Sequence, residues 1–183
     1  MVQKWYSVEY ELISSLIKQE NHVRALATKL NKPHSTVLRK LHELSELGVV
    51  DYKIEGKNNV YFIKDNLIAR RMVINSENYK LIKILTKHSW VSPLFKQILE
   101  ECKCSLIILF GSYAKGLATE NSDIDIFIET SDIKIKRHIE QLHHKLSVKI
   151  GKFNKDDLLI KEIIKNHIII RGIEEYYEKN RIS

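Results

Sequence analysis

Glycine and proline are scarce in this chain, with six glycines and two prolines among 183 residues. Because both residues break regular structure, we expect long helices and strands joined by few loops. The longest uncharged apolar run covers residues 106–110. That run is far shorter than the roughly 20 residues of a membrane-spanning helix. We therefore predict a globular protein with no membrane partner.

Cysteine is equally rare, since Cys102 and Cys104 are the only two and stand one residue apart. This spacing does not suit a structural disulfide, and a zinc site would need a second pair of ligands. We interpret both cysteines as packing residues of a protein in a reducing compartment, which predicts a cytoplasmic location.

The formal net charge is +7 and the pI is near 9.3, but the excess of positive charge is spread along the chain. Residues 1–65 carry 10 basic and 8 acidic side chains, and residues 104–183 carry 13 and 12. A mild excess of this kind permits nucleic-acid binding without requiring it. The length of 183 residues allows one large domain or two small ones.

The first third of the chain combines helical and strand-like patterns. Apolar residues recur every four positions from Val8 to Leu16 and predict a first helix. Residues 22–30 predict a short second helix, and residues 33–48 a longer third one. Beyond Gly48 the apolar period falls to two on both sides of EGKNN, which predicts a β-hairpin.

This order of elements resembles the winged helix-turn-helix of bacterial and archaeal transcription regulators. The resemblance implies that the third helix enters the major groove of double-stranded DNA and that the hairpin contacts its backbone or minor groove. It implies eight DNA-binding residues. These are His34, Ser35, Thr36, Arg39 and Lys40 on the helix, and Lys53, Lys57 and Asn58 on the hairpin.

The stretch LFGSYAKGLATENSDIDIFIE, residues 109–129, favours chemistry over packing. Its apolar strand ends at Gly111 and Ser112, where glycine lets the backbone approach a ligand and a helix start can hold phosphate. The alternation that follows places Asp123 and Asp125 on one face of a strand, roughly 6.6 Å apart. Two carboxylates without histidine or cysteine favour Mg²⁺. Neither a P-loop nor a G-x-G-x-x-G motif is present.

The same stretch resembles the signature of the DNA polymerase β-like minimal nucleotidyltransferases, in which Gly-Ser precedes an Asp-x-Asp between apolar residues. The resemblance implies transfer of a nucleoside monophosphate from an NTP, with ATP expected, to an unidentified hydroxyl, with Mg²⁺ as cofactor. It implies that Asp123 and Asp125 are catalytic and bind the metal. The nucleotide-binding residues that it implies are Gly111, Ser112, Lys115 and Ser122.

Residues 66–90 lack glycine and proline and show helical spacing, so they predict one or two connecting helices. We therefore predict three segments: a winged helix-turn-helix over 1–65, a helical linker over 66–90, and a nucleotidyltransferase domain over 91–183. The first fold is mostly helical with a hairpin wing. The second is α/β (α+β), with a small mixed sheet flanked by helices.

One departure from the resemblance concerns a third carboxylate, which fully active members carry on a strand after the next helix. In this chain Ser147, Val148 and Lys149 occupy that region. Glu129 lies four residues beyond Asp125, roughly 13 Å along an extended strand. Asp156 and Asp157 precede a predicted helix and are typical of capping residues.

Two other functions stay open beside the enzyme. One is a catalytically impaired, nucleotide-sensing transcription regulator, and the other is an antitoxin-type minimal nucleotidyltransferase with a helical, toxin-like protein partner. Near the end of the chain, Tyr176 and Tyr177 can pack on the sheet or on another subunit. A homodimer is therefore open as well.

Overall fold

The computed structural model describes residues 7–180. The chain divides between Tyr79 and Lys80 into two compact units, called unit 1 and unit 2 below. The predicted domain boundaries near residues 65 and 90 stay a prediction, and residues 1–6 and 181–183 of those predicted domains lie outside the described residues. Within residues 7–180, no helix has both the length and the apolar character needed to cross a membrane.

Unit 1 consists of helices and a small sheet in the order that the apolar periodicity predicts, followed by one continuous helix in the region of the predicted linker. Its elements are α1 (Ser7–Lys18), β1 (Asn21–His22), α2 (Val23–Leu30), α3 (His34–Glu46), β2 (Val50–Glu55), β3 (Asn58–Ile63) and α4 (Leu67–Lys87), of which α4 continues into unit 2.

The sheet of unit 1 has the order β1-β3-β2 and is antiparallel throughout. Strand β1, which the sequence analysis missed, is only two residues long and therefore shows no alternation. The hairpin turn is tighter than predicted, because Asn58 pairs with Glu55 and leaves only Gly56 and Lys57 between the strands. Gly56 takes a positive φ of 61°, and Asn58 is a strand residue.

An ion pair ties α1 to α3 in unit 1. The Lys40 Nζ atom lies 2.6 Å from the Glu9 carboxylate and 2.7 Å from that of Glu43. Hydrogen bonds to Glu43 and then to Glu9 raise the pKa of Lys40. Because the Glu9 side chain is only 7% exposed, its charge depends on Lys40 for compensation.

Unit 2 is an α+β unit with helices on both sides of a four-stranded sheet, which confirms the predicted fold class of this region at that level. Its elements after the end of α4 are α5 (Val91–Glu101), β4 (Ile107–Leu109), α6 (Gly111–Ala114), β5 (Ile124–Glu129), α7 (Ile133–Gln141), β6 (Leu146–Gly151), α8 (Leu158–Lys165), β7 (Ile168–Arg171) and α9 (Ile173–Lys179).

The sheet of unit 2 is mixed and has the order β6-β5-β4-β7. Strand β5 pairs antiparallel with β4 and parallel with β6, and β4 pairs antiparallel with β7. Residues Ile124 and Ile126 pack on one face with residues of α5 and α7. Phe127 packs on the other face with residues of α8 and α9. Since side chains alternate along a strand, Asp125 emerges on the same face as Phe127.

The C-terminal tyrosines pack within unit 2. Tyr176 is 1% exposed and its ring contacts those of Phe153 and His167, while Tyr177 is half-buried beside it. The sequence leaves open whether Tyr176 packs on the sheet or on another subunit, and the structure shows that it packs within unit 2.

We expect Lys40→Ala to lower the free energy of unfolding by about 1–3 kcal/mol, because it leaves the Glu9 carboxylate buried without its partner. Arg39→Ala is the matched control, since Arg39 pairs with Glu43 at the surface with 62% of its side chain exposed. A surface pair of that kind contributes about 0.2–1 kcal/mol. Urea denaturation of both variants tests this difference, and equal losses would contradict the role of Lys40.

Candidate active site

The chain bends sharply where β4 ends. Phe110 is extended and its amide donates a 2.9 Å hydrogen bond to the Asp125 carbonyl oxygen, so the β4–β5 pairing continues up to the bend. Gly111 then takes a positive φ of 66° and starts α6. Residues other than glycine rarely adopt this conformation.

The Asp125 carboxylate lies directly against the bend at Gly111. A Cβ atom added at Gly111 would lie 2.1 Å from Asp125 Oδ2 and 2.9 Å from Asp125 Cγ. Both distances are far below van der Waals contact, so a side chain at position 111 and the present carboxylate position exclude each other. The structure therefore brings together the glycine of the Gly-Ser pair and the second aspartate of the motif.

Asp125 is half-buried, and its surroundings shift its ionisation. Burial, and to a smaller extent the charge of Asp123, raise the pKa of Asp125. The Ser147 side chain, Lys149 and Lys115 oppose this shift but do not cancel it. Asp123 stands immediately before β5 and is exposed. The two carboxylates thus lie close enough to influence each other, with two lysines nearby.

The other three predicted nucleotide contacts differ in their hydrogen bonding. The Ser112 hydroxyl has no partner among residues 7–180. The Ser122 hydroxyl, by contrast, accepts a 2.9 Å bond from the Thr119 amide and lies 3.2 Å from the Thr119 hydroxyl. Lys115 lies 2.8 Å from Glu162 of α8. Ser112 is therefore available to a ligand, whereas Ser122 organises the loop before β5.

Strand β6 places no acid beside the aspartates. In the parallel register Ser147 lies opposite Asp125, and Lys149 lies opposite Phe127. Val148 between them is buried on the other face of the sheet. The two residues of β6 that share the face of Asp125 are thus a serine and a lysine.

Three other acids, Glu129, Asp156 and Asp157, do not supply the third carboxylate. The Glu129 carboxylate accepts a 3.0 Å hydrogen bond from the Phe153 amide and forms an ion pair with Lys179 of α9. Asp157 caps α8 by accepting a 2.8 Å hydrogen bond from the Leu159 amide. Asp156 is exposed beside this cap.

The donor set of the site fits a magnesium ion. Mg²⁺ is commonly held by one or two carboxylates together with substrate phosphates, which matches Asp123 and Asp125 beside the bend at Gly111. Within residues 7–180, no group of three or more histidine, cysteine, aspartate or glutamate side chains forms a metal site. Phosphate oxygens and water would therefore complete the coordination at this pair.

Comparison with known proteins assigns the second half of the chain to a family. The family model for the nucleotidyltransferase domain matches residues 91–180. The "Putative protein adenylyltransferase MJ0128" of Methanocaldococcus jannaschii is 40% identical over 92 residues, which cover 50% of this chain and 86% of that protein. The chain belongs to the nucleotidyltransferase family.

A second relative of the same organism supports this assignment. The "Putative protein adenylyltransferase MJ1379" is 35% identical over 99 residues, covering 51% of this chain and 87% of that protein. The prediction that this chain is a nucleotidyltransferase is confirmed by these matches, which each cover about half of it.

Two solved structures show only weak likenesses to this nucleotidyltransferase. The Adhesin competence repressor (AdcR) from Streptococcus pyogenes has a TM-score of 0.42 at 12% identity and covers 50% of this chain and 69% of that chain. A toxin-antitoxin crystallised with AMP-PNP has a TM-score of 0.33 at 24% identity and covers 56% of this chain and 77% of that chain. Superpositions at this level support no statement about fold or partners.

Unit 1 of the nucleotidyltransferase pairs most of the cations that were predicted to contact DNA. Lys40 bonds to Glu9 and Glu43, Arg39 pairs with Glu43, and Lys53 lies 2.6 Å from Glu20 and 3.1 Å from Glu55.

The other predicted DNA contacts of unit 1 lie at two of its turns. Lys57 and Asn58 are exposed at the hairpin tip, and Lys57 has no ion pair among residues 7–180. His34, Ser35 and Thr36 start α3. The structure also places Arg24 and Lys32 beside His34, where they line a cleft of about 520 Å³. Sequence periodicity does not reveal these two residues as neighbours of His34, because Arg24 lies on α2 and Lys32 in the turn that follows it.

A second group, which apolar periodicity and motifs do not indicate, lies in unit 2. The rings of His143 and His144 stack with centroids 4.4 Å apart. Trp90 lies 5.5 Å from His143 and 5.6 Å from the Lys145 ammonium, and these residues line a cleft of about 620 Å³. The turn between α7 and β6 produces this stacking, since helical geometry no longer separates adjacent side chains there.

We expect Gly111→Ala to disable the site. The added methyl group must displace the Asp125 carboxylate. A left-handed conformation also costs a residue with a Cβ atom about 1–2 kcal/mol. The free energy of unfolding should therefore fall by more than this amount, and Mn²⁺ binding measured by calorimetry should be lost.

Gly116→Ala is the matched control for this experiment. Gly116 has a φ of 73°, but no atom lies within 4 Å of a Cβ atom added there. It should lose only the conformational free energy and keep its metal binding. If Gly111→Ala behaved like Gly116→Ala in both measurements, the close approach of Asp125 would have no functional role.

Proposed function

We propose that this nucleotidyltransferase transfers the adenylyl group of ATP to a hydroxyl group of a protein, with Mg²⁺ held by Asp123 and Asp125. The observation that carries the proposal is the Asp125 carboxylate against the Gly111 bend, in a space that any side chain at position 111 would fill. A metal-binding carboxylate and a backbone suited to phosphate thereby form one site.

Binding of the triphosphate is supported by three groups around the bend. The Ser112 hydroxyl is free to donate to a phosphate oxygen. The first amides of α6 have no helical acceptors, because the first four N–H groups of a helix lack them. Lys115 lies close enough to Asp125 to influence its pKa and adds a positive charge that attracts phosphate.

Transfer forms a bond between the acceptor oxygen and the α-phosphorus and breaks the bond from that phosphorus to pyrophosphate, which leaves, while the proton of the acceptor hydroxyl passes to solvent. Bound Mg²⁺ would stabilise negative charge on the phosphate oxygens. Asp123 and Asp125, when both are ionised, would hold that ion beside the bend at Gly111. Since burial raises the pKa of Asp125, this side chain becomes protonated at a higher pH than an ordinary aspartate. Its protonation weakens metal binding.

ATP as donor and a protein as acceptor are supported by the names of the relatives from Methanocaldococcus jannaschii, which describe protein adenylyltransferases. The chain spans 86% and 87% of these relatives, so the matched region includes nearly all of each. The nature of the acceptor residue, a hydroxyl side chain, follows from the reaction class.

When the full chain and Mg²⁺ are added to a cell extract, we expect protein-bound label from α-³²P-ATP to rise above that of the extract alone, and label from γ-³²P-ATP not to rise. Asp123→Ala combined with Asp125→Ala should abolish labelling, because the metal loses its protein ligands. Asp156→Ala is the matched control, since Asp156 is exposed beside the cap of α8 and is not among the charges that shift the pKa of Asp125. A rise in label from γ-³²P-ATP when the chain is added, or undiminished labelling by the double variant, would contradict the proposal.

We also propose that unit 1 is a winged helix-turn-helix that binds double-stranded DNA. The order of α1, α2, α3 and the β2–β3 hairpin supports it. So do three cations of unit 1 that have no ion-pair partner among the described residues: Lys57 at the hairpin tip, and Arg24 and Lys32 at the cleft with His34. Such cations suit phosphate contacts, which fix a protein on DNA without reading sequence.

We expect the affinity of the full chain for duplex DNA to fall as salt is raised, because each phosphate contact releases counterions. Lys57→Ala and Lys32→Ala should each reduce the slope of log affinity against log salt by about 1. Lys161 is exposed and lies in unit 2, so Lys161→Ala is the control and should leave the slope unchanged. Fluorescence anisotropy measures all three, and slopes that do not respond to Lys57 or Lys32 would contradict DNA binding through this surface.

A further inference from the structure

Lys149 is placed on the face of the sheet that carries the aspartates. In the β5–β6 register Ser147 lies opposite Asp125, and Lys149 lies one pair further along, opposite Phe127. Residues two apart on one strand share a face, and diagonal neighbours on adjacent strands lie within reach of a long side chain. The positive charge of Lys149 in fact lowers the pKa of Asp125, against the stronger effect of burial.

Lys149 has no ion-pair partner among residues 7–180. The other cation close to Asp125, Lys115, is engaged with Glu162 at 2.8 Å. Lys149 is also exposed, on a strand at the edge of the sheet. Its ammonium group is therefore both near the aspartates and available to a negatively charged ligand.

The charge of a bound nucleotide requires compensation at this place. One divalent ion held by Asp123 and Asp125 would balance the two carboxylates and would leave the charge of a triphosphate to other groups. Strand β6 offers no carboxylate beside Asp125 to hold a second ion, and the described residues form no cluster of three acidic or metal-binding side chains. A lysine on this face supplies positive charge directly to phosphate oxygens.

We propose that Lys149 is a nucleotide-binding residue that contacts phosphate oxygens and takes the place of a second metal ion, so that the site holds one divalent ion per nucleotide. This inference rests on the proposed function, because it assumes that a nucleoside triphosphate binds at Asp123 and Asp125. Beyond the nucleotide and one divalent ion, it requires only the positive charge of the Lys149 side chain.

The test compares nucleotide and metal binding in variants of the full chain. Lys149→Gln should weaken binding of a non-hydrolysable ATP analogue about tenfold, as expected for the loss of one charge-assisted contact. Lys149→Arg keeps the charge and should restore most of the affinity. Lys152→Gln, an exposed lysine just beyond the end of β6, is the matched control and should bind like the wild-type chain.

Mn²⁺ binding without nucleotide separates a phosphate contact from a structural effect. Lys149→Gln should bind Mn²⁺ at least as tightly as the wild-type chain, because it removes a positive charge near the metal ligands. Weakened Mn²⁺ binding in this variant would instead indicate a disturbed site and would overturn the proposal. Electron paramagnetic resonance in the presence of the analogue should count one bound Mn²⁺, and a count of two would also overturn it.

Failure of this inference can be distinguished from failure of the proposed function. If the wild-type chain binds the analogue and Lys149→Gln binds it equally well, Lys149 has no role in nucleotide binding while the function stands. If the wild-type chain binds no analogue at all in the presence of Mn²⁺, both the function and the inference are overturned.

Discussion

The approach of the Asp125 carboxylate to the backbone at Gly111 is the contact on which the candidate site depends. It requires a residue without a Cβ atom and a left-handed backbone at position 111, together with a β4–β5 pairing that holds Asp125 opposite the bend. The Phe110 amide fixes this pairing through the Asp125 carbonyl oxygen. Backbone geometry therefore positions the Asp125 carboxylate. The same bend places Ser112 and Lys115, and the neighbouring strand β6 places Lys149.

The site concentrates charge that the fold alone does not need. Asp125 is half-buried beside Asp123, and burial raises its pKa, so an ionised Asp125 is less favourable there than in water. Unit 1 shows the contrasting case, in which Lys40 neutralises a buried glutamate and so serves the fold. The Lys40–Glu9 pair thus serves the fold of unit 1, whereas the fold of unit 2 gains nothing from placing Asp125 beside Asp123.

Much of this arrangement was predictable from the sequence, because short-range patterns specify it. The alternation around Asp125 predicts its strand and its face, and the Gly-Ser pair after an apolar run predicts the bend. The roles of Ser122 and Lys40 were not predictable, since hydrogen bonds in a loop and an ion pair between helices depend on residues that only folding brings together. The two-residue strand β1 is too short to show alternation, and the stacking of His143 on His144 depends on the conformation of the turn after α7.

The most direct test of the central claim is the position of the metal ion in crystals grown with Mn²⁺ and a non-hydrolysable ATP analogue, located by anomalous diffraction. We predict a manganese peak bound by both Asp123 and Asp125, with the triphosphate against the backbone of Gly111 and Ser112. A manganese peak bound by neither aspartate, or a triphosphate that lies away from this bend, would contradict it.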